Sequence, residues 1–179
     1  LSCRSQGLGR ASPQPQGAAH PAAFLRMNHI APLLTLDSVE LDSDITSRKR
    51  AFEEIARIVE HCAGVSHQAA FDALNARERL GSTCLGGGVA IPHGRGKGLD
   101  ELVIAVLRTK ESIAFDTPDN RRARLFFSVL IPEGDPEKYL VVLSEIAELL
   151  KNLETKQKLL SLPTPREFCE FVGSWTPQG

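Results

Sequence analysis

The stretch from Gly81 to Arg95, Gly-Ser-Thr-Cys-Leu-Gly-Gly-Gly-Val-Ala-Ile-Pro-His-Gly-Arg, constrains this chain most. Three consecutive glycines admit backbone conformations that side chains disfavour, and Val89, Ala90 and Ile91 read as a brief buried strand. Pro92 has no N–H to donate, so it should end that strand's pairing. His93 is then expected at a strand end, on a loop between Pro92 and Gly94, which presents an imidazole rather than burying it. The competing reading is a satisfied core histidine.

The flanks read as ordinary secondary structure. Ser47 is a predicted N-cap for a helix that places Phe52, Ile55, Ala56, Val59 and Cys62 on one face and ends at Gly64. Ser66 is predicted to cap a second helix through Ala70, Phe71, Leu74 and Ala76, closing on Arg77-Glu78-Arg79-Leu80 and bringing Arg77 and Arg79 within loop reach of His93. Before these helices, residues 30–36 read as a short helical or extended entry, and Asp42, Ser43 and Asp44 as a polar turn. Gly94 to Gly98 reads as a flexible basic loop.

Leu102–Leu107 and Leu125–Ile131 are continuous apolar runs, the pattern of strands covered on both faces. Ile113–Phe115 reads as a short edge segment between them. Pro136 should open a long helix with Leu140, Leu143, Ile146, Ala147 and Leu150 as its apolar positions. A shorter helix follows over 153–162, and Thr164-Pro165 caps a last one through Phe168 and Val172. Helices first, strands in the centre and helices last imply a single α/β sandwich around a mixed sheet.

Composition narrows the class. The 179-residue chain has a net charge of −1; residues 1–26 hold Arg4, Arg10 and Arg26 with no acid (+3), leaving −4 for residues 27–179. A mildly acidic domain argues against nucleic acid as a partner. Residues 1–26 are rich in Ser, Gln, Gly, Ala and Pro without hydrophobic period, and are expected to be a disordered extension ahead of a domain that starts near Met27. The cysteines, Cys3, Cys62, Cys84 and Cys169, form no CxxC pair, as in a reducing cytoplasm, with Cys62 and Cys169 expected as small core residues. No apolar run approaches a bilayer span, so no membrane insertion is expected.

Several chemistries lack their motif. The glycine triplet is not GxxxxGK[ST], and Gly94-x-Gly96-x-Gly98 fails the dinucleotide pattern at its third glycine. No GxSxG elbow is present, and no His, Cys, Asp or Glu cluster has metal spacing. Neither a cofactor nor a metal is expected. The acids nearest His93 in sequence, Asp100, Glu101 and Asp116, make a poor acid–base partnership. What remains is an imidazole that is largely neutral at cellular pH, two hydroxyls (Ser82, Thr83), backbone N–H groups and an arginine. A nitrogen nucleophile can hold a phosphoryl group covalently, and N–H donors with arginine suit that group's charge. The ingredients fit a phosphohistidine carrier.

Leu80-Gly81-Ser82-Thr83 followed by Val89-Ala90-Ile91-Pro92-His93-Gly94 resembles the signature of the mannitol/fructose-type IIA components of the bacterial phosphoenolpyruvate phosphotransferase system, with the nitrogen-regulatory branch the closest match. Ala76–Leu80, Ile113–Asp116, Leu130–Pro132 and Leu143–Ala147 support the resemblance, which spans about residues 30–172. It implies a mixed sheet flanked by helices, with His93 phosphorylated by an HPr-like phosphocarrier protein and Arg77 matching the family's active-site arginine. The family's second pocket histidine falls, by register, at Tyr139. A phenol there can donate one hydrogen bond to a phosphoryl oxygen but supplies no positive charge; the alternative is a plain packing aromatic. Arg77, Ser82, Thr83, Tyr139 and His93 are therefore expected in one surface pocket.

Three functions stay open on these grounds. The first is a regulatory phosphocarrier whose targets, by resemblance, include potassium-transport regulators or sensor kinases. The second is a sugar-specific IIA that passes phosphate to a permease IIB domain, and the third a non-phosphorylated binding module.

Overall fold

A computed structural model describes residues 28–134 and 137–178. The expected extension over 1–26, and Pro136 as the opener of the long helix, lie outside the described residues. The elements run β1 (Val39–Ser43), α1 (Arg48–Ala63), α2 (His67–Glu78), β2 (Cys84–Gly86), β3 (Gly88–Ala90), β4 (His93–Gly96), β5 (Val103–Ala114), β6 (Arg122–Pro132), α3 (Glu137–Lys151), α4 (Leu153–Ser161) and α5 (Pro165–Ser174). Two short 3-10 turns, Ala31–Leu33 and Leu36–Ser38, form the entry.

One six-stranded mixed sheet has the order β1-β5-β6-β3-β2, with β4 also paired to β6. β1 is parallel to β5, β5 antiparallel to β6, and both β3 and β4 are parallel to β6. Side chains alternate across this sheet. Ile104, Val106, Leu125, Phe127 and Val129 join α3, α4 and α5 in one apolar core; Ala105, Leu107, Phe126 and Leu130 join α1 and α2 in the other. Both faces are covered, which is why β5 and β6 read as unbroken apolar runs. The α/β sandwich is confirmed.

The helix signals act as expected. The Ser47, Ser66 and Thr164 side chains accept from Arg50, Ala69 and Glu167 N–H groups, and Gly64 closes α1 in the left-handed conformation at φ 68°.

Several expectations need correction. Asp42 and Ser43 end a strand, β1, rather than forming a turn: Ser43 registers with Thr109 of β5, and Asp42, at φ 58°, lies in the irregularity between Glu40 and Ser43. His93 and Gly94 to Gly96 are not a loop: His93, Gly94, Arg95 and Gly96 register with Val129, Leu130, Ile131 and Pro132 of β6. Pro92 interrupts only the edge, so β3 and β4 lie end to end along the same neighbour. Ile113 is no separate segment; β5 continues through it past an irregularity between Arg108 and Ile113. Cys62, expected as a small core residue, is exposed in the last turn of α1. On α3 the buried face carries Tyr139, Val142, Ile146, Leu149 and Leu150, while Leu140 is 58% exposed. Among the described residues no helix is long and apolar enough to cross a membrane.

Candidate functional site

The site lies where the C-terminal end of α2 meets the start of β4. A Cβ on Gly94 would stand 2.5 Å from the Ala73 carbonyl oxygen, so only a glycine lets α2 approach β4 this closely. Arg77 is one turn beyond Ala73 on the same helix face, and His93 is the neighbour of Gly94. The close approach therefore carries Arg77 to His93.

His93 is half-buried and both ring nitrogens are engaged. Nδ1 is 2.8 Å from the Ile91 carbonyl oxygen. Arg77 Nε donates to Nε2 at 3.1 Å, and Arg77 Nη1 donates to the Gly81 carbonyl at 2.9 Å. A guanidinium only donates, so Nε2 must present a lone pair, and a carbonyl only accepts, so Nδ1 must carry the proton. The partners thus assign a neutral imidazole with Nε2 as its basic nitrogen. Burial pushes the imidazole below its usual 6.5 and the Arg77 charge adds to that; the Ile91 carbonyl and Glu78 act in the opposite sense without reversing it.

Thr83, Ser82 and Tyr139 differ in exposure and in partners. Thr83 is buried, and its N–H and hydroxyl both donate to Glu78 Oε2, at 3.0 and 2.6 Å. Its hydroxyl proton is therefore committed and does not face an incoming anion. Ser82 is exposed; its Oγ accepts from the Cys84 N–H at 3.2 Å, which leaves its own O–H to donate. Tyr139 is 9% exposed within the apolar core shared with Ile91 and Val129. Its hydroxyl has no hydrogen-bond partner among the described residues and is not one of the buried unpartnered atoms, so it reaches solvent. The structure thus brings Arg77 and His93 together, ties Thr83 to Glu78, and sets the Tyr139 ring in the apolar cluster that holds Ile91 and Val129. Arg79 and Arg95 are exposed nearby in sequence.

Glu78 went unread in the sequence. The signal was its isolation: between Arg77 and Lys97 it is the one acid among four basic residues. Among the described residues no group of three or more His, Cys, Asp or Glu is placed to hold a metal ion. The arrangement offers a neutral nucleophilic nitrogen, a cation in contact with it and a free hydroxyl close by in the chain.

The family model described as "Phosphoenolpyruvate-dependent sugar phosphotransferase system, EIIA 2" matches residues 32–174. A nitrogen regulatory protein of Pseudomonas aeruginosa is 37% identical over 127 residues, covering 70% of this chain and 82% of its own length. The crystal structure of nitrogen regulatory protein IIA-Ntr from Neisseria meningitidis matches with a TM-score of 0.75 at 38% identity, over 80% of this chain and 98% of that one. IIA mannitol from Escherichia coli matches with a TM-score of 0.66 over 78% of this chain and 98% of that one; at 18% identity it shows a shared fold.

Proposed function

The chain belongs to the EIIA 2 family of the phosphoenolpyruvate-dependent sugar phosphotransferase system, and from that membership we propose that it is a regulatory phosphohistidine carrier with His93 as the phosphoryl acceptor. The observation that carries this reading is the pair of hydrogen bonds on one imidazole, Ile91 on Nδ1 and Arg77 on Nε2.

The Nε2 lone pair attacks the phosphorus of a phosphohistidine on an HPr-like donor. The new N–P bond forms as the donor's N–P bond breaks, and its electron pair returns to the donor imidazole. The Nδ1 proton stays on His93, held by Ile91, so no general base is needed. Arg77 moves from Nε2 onto the phosphoryl oxygens while its Nη1 remains on the Gly81 carbonyl. A charge-assisted contact of this kind contributes about 1.5–3 kcal/mol. The Ser82 hydroxyl is a second donor.

Kinship with nitrogen regulatory proteins favours regulation over sugar transport: the phosphorylated and free forms bind different protein targets in the cytoplasm, potassium-transport regulators and sensor kinases among the branch's expected ones. The test is phosphate transfer from phosphoenolpyruvate through enzyme I and an HPr-like protein, on wild type and His93→Ala, read by mass spectrometry. One acid-labile phosphate on wild type and none on the variant is expected. An unlabelled wild type beside a competent donor would leave a binding module without the chemistry.

A further inference from the structure

Glu78 stands next to Arg77 in the chain but faces the other way, into the turn that follows α2. One carboxylate oxygen, Oε2, receives both the N–H and the hydroxyl of Thr83. The other, Oε1, is buried without a hydrogen-bond partner among the described residues. Between these two residues the chain passes through Gly81, whose carbonyl receives Arg77 Nη1. The C-terminal end of α2 therefore grips the turn twice, with Glu78 at Thr83 and Arg77 at Gly81, and the second grip aims the guanidinium at His93.

We propose that Glu78 is a positioning residue for phosphoryl transfer at His93: its grip on Thr83 fixes the turn that anchors Arg77, and so sets where the guanidinium stands relative to Nε2. The proposal rests on the phosphocarrier reading. Arg77 has to exchange His93 Nε2 for phosphoryl oxygens while it remains hinged at Gly81, and a hinge is useful only if its carbonyl stays in place. Ser82, the free hydroxyl, lies inside the same gripped turn. A clamp alone would need a single acceptor oxygen, which an amide could supply. The second oxygen is buried without a hydrogen-bond partner among the described residues, and the Glu78 charge works in the sense that supports the basicity of His93, against burial and Arg77 and without reversing them.

Two substitutions separate these roles. Glu78→Gln keeps an acceptor for Thr83 and removes the charge; Glu78→Ala removes both. The probes are potassium phosphoramidate, which labels histidine without a protein partner, and the phosphorylated HPr-like protein. With either one, Glu78→Ala is expected to label His93 at least about tenfold more slowly. Glu78→Gln should slow labelling no more than about threefold while the His93 imidazole titrates at lower pH than in wild type. Thr83→Val should lose about as much as Glu78→Ala, and the double variant no more than either, because both act through one turn. A merely structural role would leave the 15N resonance of His93 Nε2 and the Arg77 Nε–H signal unchanged in the folded fraction; positioning by Glu78 requires both to shift in Glu78→Ala. Labelling within about twofold of wild type, unchanged resonances, or a slowing matched by an equal loss of folded protein would each overturn the proposal. A wild type that takes no label would defeat the carrier reading instead, and the two resonances would still decide whether Glu78 positions Arg77.

Discussion

Arg77 Nε points at His93 Nε2 from 3.1 Å, although both groups are basic. The contact is favourable only while the imidazole is neutral, because a protonated Nε2 would set two donors and two positive charges against each other. The Ile91 carbonyl, 2.8 Å from Nδ1, fixes the tautomer that makes this possible. At pH 7.5 the 15N spectrum should therefore show His93 as the Nδ1–H tautomer, and 31P–15N coupling in the phosphorylated protein should place phosphorus on Nε2. Phosphorus on Nδ1 would contradict the assignment.

The depressed basicity of His93 sets a pH dependence with a definite sign. Its folded-state pKa lies below the ordinary 6.5, so between that lower value and 6.5 the unfolded chain binds more protons than the native one. The stability associated with this group is fully present above about pH 6.5 and is lost as pH falls through that window. Phosphoramidate labelling should likewise persist below pH 6.5, where a free imidazole is mostly protonated. Arg77→Ala removes one of the causes of the depression, so the labelling midpoint should move up in pH. A midpoint that stays put or falls would mean that Arg77 does not act on His93 electrostatically.

Gly94 couples the sheet to the site through backbone contact alone. A methyl group there meets the Ala73 carbonyl at 2.5 Å, and backbone cannot rotate aside as a side chain can. Gly94→Ala should cost about 1–3 kcal/mol of stability by overpacking and should slow labelling further, since α2 carries Arg77 away from β4. Gly98→Ala is the control: it meets nothing within 4 Å, its φ of +78° still strains an alanine, and α2 is untouched. Equal labelling defects in the two variants, compared at equal folded fraction, would count against a specific role for the α2–β4 approach.

The sequence was most legible where a local rule acts alone. Ser47 and Ser66 announce α1 and α2 because an N-cap is a contact within four residues, and β5 and β6 announce themselves because both of their faces are buried. The strands β1 and β4 escaped because pairing partners far along the chain make them strands: Val39 with Val106, and His93 with Val129. Gly94-Arg95-Gly96 has the local character of a loop and is held straight by β6. The α3 face was misread because Tyr139-Leu140-Val141-Val142-Leu143 is apolar in every direction, and only the position of the sheet selects Tyr139 and Val142. At the site, His93 and Arg77 were legible as chemistry, whereas Glu78's grip on Thr83 and the use of the Ile91 carbonyl depend on how a turn folds back.

Tyr139 tests whether the phenol takes part in phosphoryl transfer. Its ring belongs to the apolar core cluster and its hydroxyl has no hydrogen-bond partner among the described residues, so Tyr139→Phe removes no hydrogen bond among them. Stability should change by less than about 1 kcal/mol, and labelling of His93 should stay within about twofold of wild type. A rate loss of tenfold or more, with the fold intact, would show that Tyr139 turns toward the phosphoryl group during transfer.

Arg108 supplies a test of the far end of the sheet from the site. It is 2% exposed, and its guanidinium donates to both carboxylate oxygens of Asp42, at 3.2 and 3.1 Å, and to the Leu159 carbonyl at 3.0 Å, tying β5 to β1 and α4. Asp42 is 45% exposed and lies 3.6 Å from Arg124 as well. The two partners should therefore respond unequally to removal. Asp42→Ala strands a buried cation and also puts alanine at φ 58°, a left-handed conformation that aspartate tolerates better. About 2–3 kcal/mol of destabilisation is expected, below the full figure for a buried pair because solvent reaches the carboxylate side. Arg108→Met leaves Asp42 to solvent and Arg124, fills the same space with apolar atoms, and orphans only the Leu159 carbonyl, so about 1 kcal/mol is expected. Urea denaturation of the two variants gives the order directly. If Arg108→Met proved the more damaging, the pair would be held together by the arginine's packing rather than by the need to neutralise its charge.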